Sequence, residues 1–68
     1  MKEVGKRIKE IRLEHKLSQI DFGRILGASQ DTVSLWENNK SLPTTEYVIL
    51  IAKHFNVSAD YILCLTDY

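Results

Sequence analysis

The stretch "SQDTVSLWENNK", Ser29 to Lys40, gathers two kinds of hydrogen-bonding side chain at helical spacing: amides at Gln30, Asn38 and Asn39, and hydroxyls at Ser29, Thr32 and Ser34. Val33 and Trp36 form an i,i+3 apolar pair that must turn inward, leaving Gln30, Asp31, Ser34 and Leu35 outward with Thr32 at the edge. Short polar side chains on the outer face of a short helix can read the donors and acceptors of base edges in a DNA major groove, an amide pairing in bidentate fashion with adenine N6 and N7. They are not equipped for bond-breaking. A serine nucleophile needs a base oriented by a third group, a metal needs clustered ligands, and a phosphate loop needs neighbouring glycines. The three glycines here are dispersed, Cys64 is single, and His15 and His54 lie far apart without a third ligand. The expectation is a protein that is no enzyme and takes no metal, cofactor or small-molecule ligand.

Such a helix needs elements to hold it. Val4, Ile8 and Ile11 recur at helical spacing and predict a first amphipathic helix over about residues 2–15, ended near Lys16. Ser18 is a fitting N-cap with Asp21 three residues on; Phe22 and Leu26 give a second helix, about 18–26, its inward face, and Gly27 closes it. Gly23 stands inside that helix at a cost of about 1 kcal/mol relative to alanine, so another backbone should approach it closely. Ser29 caps the reading helix, about 29–38. The loop "NNKSLPT" leads to Thr44, cap of a fourth helix that turns Val48, Ile51, Ala52 and Phe55 inward and stops at Asn56. Ser58 opens a short fifth helix containing Tyr61, Ile62 and Leu65. The fold class is all-α, a compact five-helix arrangement without a sheet, expected as one domain over residues 1–68.

Charge is polarised although the total is zero. Residues 1–16 carry six bases against three acids, residues 17–40 two against three, and residues 41–68 one against three. A basic front end can orient the chain on a polyanion. The longest apolar run, "YVILIA", is too short for a bilayer span and no signal-peptide core is present, so the expected home is a reducing cytoplasm, the bacterial cytoplasm or nucleoid.

Two short helices around a tight glycine-containing turn form a helix-turn-helix, in which the first braces on the DNA backbone and the second enters the major groove. "LSQIDFGRILGASQDTVSLWENNKSLP" with "LIAKHFNVSADYIL" resembles the lambda-repressor-like, XRE-type family of phage repressors, Cro proteins and small bacterial regulators, over about Ile8 to Leu65. The resemblance implies a sequence-specific regulator of double-stranded DNA, a prophage or mobile-element repressor acting by occupancy of a palindromic operator as a homodimer. It implies Gln30 as leading base reader, with Thr32 and Ser34 on base edges or phosphate. It also implies phosphate contacts from Ser18, Gln19, Asn38 and Lys40, and a structural pair of Arg12 with Glu37, Arg12 facing phosphate only secondarily. Two positions depart from the common family pattern. Leu35 can touch a thymine methyl but can neither donate nor accept; Asp31 could accept from cytosine N4 or simply favour the helix dipole. Tyr61, Leu65 and Tyr68 could mediate a contact between two copies or merely cap the core. The competing class is a protein-interaction module, an antitoxin or antirepressor, favoured by net neutrality and by exposed Ile20, Ile25 and Leu35.

Overall fold

Four of the five helices start on a hydroxyl, because a helix N-terminus leaves backbone N–H groups that a neighbouring oxygen must accept. Ser18, Ser29, Thr44 and Ser58 accept from the N–H groups of Asp21, Thr32, Tyr47 and Tyr61 respectively. The computed structural model describes residues 3–67, so the expectations placed on Lys2 and Tyr68 lie outside the described residues. Its helices are α1 (Val4–Glu14), α2 (Gln19–Leu26), α3 (Gln30–Glu37), α4 (Thr45–Phe55) and α5 (Ala59–Ile62), and no strand occurs among the described residues.

Helix ends show an equally regular device. The chain reverses hand at Lys16 (φ 56°), Gly27 (φ 75°), Asn39 (φ 57°), Asn56 (φ 54°) and Cys64 (φ 62°). After each, an N–H returns to a carbonyl of the last turn: Leu17 to Arg12, Ala28 to Gly23, Lys40 to Leu35, Val57 to Ala52 and Leu65 to Asp60. This satisfies carbonyls the helix cannot pair itself. Only one of the five positions is glycine.

Two expected boundaries are corrected by this geometry. His15 is not helical: it follows α1, where its ring nitrogen Nδ1 lies 2.9 Å from the Ile11 carbonyl and its edge meets Phe55 at 4.8 Å. Leu65 is not part of α5, because the left-handed Cys64 has already turned the chain.

The core is drawn from every helix. Ile8, Ile11, Phe22, Val33, Ile51 and Ile62 are fully buried, with Leu26, Trp36 and Phe55 around them. Phe22 stacks on Phe55 at 5.1 Å, and Trp36 meets Tyr47 edge-on at 5.0 Å, placing the tryptophan in the core and not on the surface. α3 packs against both α1 and α2 and turns Val33 and Trp36 into the core.

Candidate nucleic-acid interface

α2 and α3 are separated by Gly27, Ala28 and Ser29 alone. A turn this short must fold back on α2, and a Cβ at Gly23 would collide with the Ala28 carbonyl. The backbone that approaches Gly23 is thus that of the turn itself, tied down by Ala28 N–H donating to the Gly23 carbonyl at 2.8 Å.

α3 is fixed at both ends and along one face. Val33 and Trp36 are buried in the core. At the N-terminus the Ser29 hydroxyl caps Thr32 N–H at 3.1 Å and lies 3.0 Å from the Thr32 hydroxyl. At the C-terminus the Asn38 amide donates to the Ser34 carbonyl at 2.9 Å and to its hydroxyl at 3.2 Å. Thr32, Ser34 and Asn38 are therefore gathered on the helix, with their polar groups already locally engaged. Gln30 and Asp31 are exposed, and among the described residues their side chains have no hydrogen-bond or ionic partner. Leu35 is exposed to 44%. The outward face is thus an amide, a carboxylate and an isobutyl group, bordered by hydroxyls. α3 carries no basic residue.

A polar latch sets the angle of α3. Arg12 of α1 donates from Nε to Glu37 Oε2 at 2.7 Å and from Nη2 to Glu37 Oε1 at 3.0 Å, a bidentate pair. Its Nη1 donates to the Leu17 carbonyl at 2.9 Å. Gln19 completes the cluster, its Nε2 donating to Glu37 Oε1 at 3.1 Å. The two charged side chains are only 11% and 4% exposed. Three of the five guanidinium donors of Arg12 are consumed inside the domain. Gln19 keeps one amide hydrogen and its oxygen for other partners. Ser18 stands exposed next to it, and Lys40, beyond α3, is exposed with no ion pair among the described residues. Of the remaining bases on α1, Lys6 and Lys9 are exposed, whereas Arg7 donates to the Tyr61 carbonyl at 2.8 Å and lies over the Tyr61 ring at 4.0 Å. Basic charge at the front end is thus partly spent on internal contacts.

One anchoring contact was not anticipated from sequence. Asn39 Oδ1 accepts from the Gly5 N–H at 3.1 Å across 34 residues, capping α1 from the end of α3. A Cβ at Gly5 would meet the Trp36 carbonyl, so the helices touch backbone to backbone there. The signal was available in Gly5, a glycine in the first turn of an otherwise regular helix, by the argument that singled out Gly23.

Residues 8–62 match the profile of the helix-turn-helix family. The chain belongs to the helix-turn-helix family. Its lambda-repressor-like form is evident in solved structures of the P22 c2 repressor. One, in complex with synthetic operator 9T, superposes with a TM-score of 0.84 at 29% identity, covering 91% of this chain and 94% of that one. The solution structure of that repressor's DNA-binding domain gives 0.80 at 32% identity, covering 88% and 79%. Among curated relatives, Antitoxin PezA of Streptococcus pneumoniae serotype 4 is 44% identical over 81% of this chain and 35% of its own length. Repressor protein C2 of Salmonella phage P22 is 32% identical over 88% and 28%. The HTH-type transcriptional regulator YobD of Bacillus subtilis is 30% identical over 90% and 54%. This helix-turn-helix chain therefore spans between about a quarter and about half the length of these relatives. No helix among its described residues is long and apolar enough to cross a membrane.

Proposed function

We propose that this domain reads double-stranded DNA for a transcriptional repressor of the prophage or mobile-element type, laying α3 in the major groove of a palindromic operator as one half of a homodimer. The observation that carries the reading is the division of α3 into an inner face and two anchored ends, and an outer face on which Leu35 is 44% exposed and the Gln30 and Asp31 side chains have no hydrogen-bond or ionic partner among the described residues. A close structural relative at TM-score 0.84 is seen on an operator.

In this reading Gln30 pairs with a base edge, and Thr32 and Ser34 supply hydroxyls to bases or phosphate. Ser18, Gln19, Asn38 and Lys40 hold the backbone, Gln19 through the amide hydrogen that Glu37 leaves free. Arg12 and Glu37 act through the position of α3. Dimerisation uses the C-terminal region, where Leu65 is 71% exposed and Tyr61 half-buried, together with Tyr68.

Binding sites selected from random duplexes, followed by a salt titration of the best, test this. A steep fall in affinity with salt is expected from phosphate contacts. Gln30→Ala should relax base preference at one position, whereas Lys40→Ala should weaken all duplexes alike. Absence of binding to any duplex at low salt would overturn the proposal. A second reading, a domain that mainly binds a protein partner in the manner an antitoxin would, is favoured by the 44% identity to a protein of that name. It is also favoured by an apolar groove of about 430 Å³ lined by Leu26, Glu46, Tyr47, Ile49 and Leu50. That reading gains if no duplex is retained.

A further inference from the structure

α1 differs from the other helices at its start: Glu3 stands at the N-cap position and makes no side-chain bond to the first turn. The first N–H groups of a helix must find acceptors outside it. Gly5 is buried, and its N–H reaches one from 34 residues away, Asn39 Oδ1 at 3.1 Å. Asn39 makes this bond from a backbone at φ 57°, a conformation that glycine adopts at lower cost. What its side chain adds there is the tie to α1. The turn itself is otherwise held to α3 alone: Asn39 N–H donates to the Trp36 carbonyl at 3.0 Å, and the Lys40 and Ser41 N–H groups donate to the Leu35 carbonyl at 2.9 and 3.3 Å. A Cβ at Gly5 would meet that same Trp36 carbonyl, so the tie closes over a direct contact of two backbones. Lys40 comes next in the chain, exposed and without an ion pair among the described residues. α1 thus grips the end of α3 twice, through Arg12 on Glu37 and through Gly5 on Asn39, at points two helical turns or about 10 Å apart.

We infer that Asn39 is a positioning residue for phosphate binding: its tie to Gly5 holds the turn after α3 against the start of α1 and so places the Lys40 ammonium over a DNA phosphate. The inference rests on the DNA-reading proposal and adds a residue to which that reading gives no task. The two grips on α3 divide the work. Arg12 and Glu37 set the angle of the helix, and hence the bases it meets. Asn39 sets where the chain leaving the helix lies, and hence how firmly the DNA backbone is held. A lysine is a point charge on a flexible four-carbon stem, so its worth at a phosphate depends on how well the backbone beneath it is placed. Without the tie, Lys40 is carried by a turn that is fixed at one side only.

Asn39→Gly tests this, because it accepts the left-handed backbone and removes only the tie. In the free variant the Gly5 N–H should exchange with solvent faster than in the wild type, while the amides of α3 keep their protection. On the best duplex from site selection, the slope of log affinity against log salt should become shallower by up to about 0.9, the share of one phosphate, with base preference unchanged. Made in a Lys40→Ala background, the same substitution should alter the slope no further, since the charge that Asn39 places is gone. A merely structural role would lower the urea midpoint and leave the slope at its wild-type value, and that result overturns the inference. So does a full further loss of slope in the Lys40→Ala background. In both cases the wild type still binds, and the DNA-reading proposal stands. If the wild type binds no duplex at low salt, both fall.

Discussion

The junction of α1 with α3 and the junction of α1 with α5 are built from different materials. The first is polar and directional: Arg12, Gln19 and Glu37 form a buried hydrogen-bonded cluster, and Asn39 caps α1 at Gly5. The second centres on fully buried Ile62, its polar tie at the margin being a single guanidinium, Arg7, which lies over the Tyr61 ring and donates to the Tyr61 carbonyl without a carboxylate partner across the junction. Apolar packing is strong but tolerant of small rotations, whereas a bidentate ion pair specifies both distance and angle. The domain uses the specifying kind at α3, the helix proposed to read bases, where a displacement would change which bases it meets.

Glu37→Ala should therefore have the largest effect. It leaves Arg12 desolvated without its carboxylate, and the loss expected in urea unfolding is about 3–5 kcal/mol. Under conditions where the variant remains folded, its base preference should also flatten, since α3 has lost its angular reference. Ile62→Ala should cost about 2–4 kcal/mol by opening a cavity, yet leave base preference intact. Equal effects of the two on preference would break the distinction between the junctions. Lys16→Gly should act on neither junction. Relief of the left-handed conformation at φ 56°, partly offset by the greater freedom of glycine in the unfolded chain, should raise stability by about 0.5–1 kcal/mol, read as a higher urea midpoint.

The contrast also explains what could be read from the sequence. Local signals are strong in this chain. Ser18, Ser29, Thr44 and Ser58 each mark a helix start, and Gly27 and Asn56 mark ends, because capping chemistry is written in the residue itself. Core positions such as Ile8, Phe22, Val33 and Ile51 follow from period alone. The end of α5 was harder to see, since Cys64 carries no preference for positive φ and the apolar Leu65 continued the helical pattern. Contacts between distant residues were legible only when a family pattern named them. Asn39 to Gly5 and Gln19 to Glu37 span 34 and 18 residues, and nothing in either sequence neighbourhood announces the partner. The outer face of α3 was visible as a face. Which of its hydroxyls would be occupied by Ser29 and Asn38 depended on rotamers that period cannot supply.

The separation of holding from reading on α3 has a consequence for how such a domain can change over generations. Gln30, Asp31 and Leu35 are exposed and stand outside the buried core, and exposed substitutions ordinarily shift stability by less than about 0.5 kcal/mol. If these three side chains read the operator as proposed, a lineage can exchange one target for another through single replacements at them while the fold is kept. Drift in recognition is decoupled from drift in architecture, and copies of this scaffold in one cell can diverge to separate addresses while remaining interchangeable as folded objects.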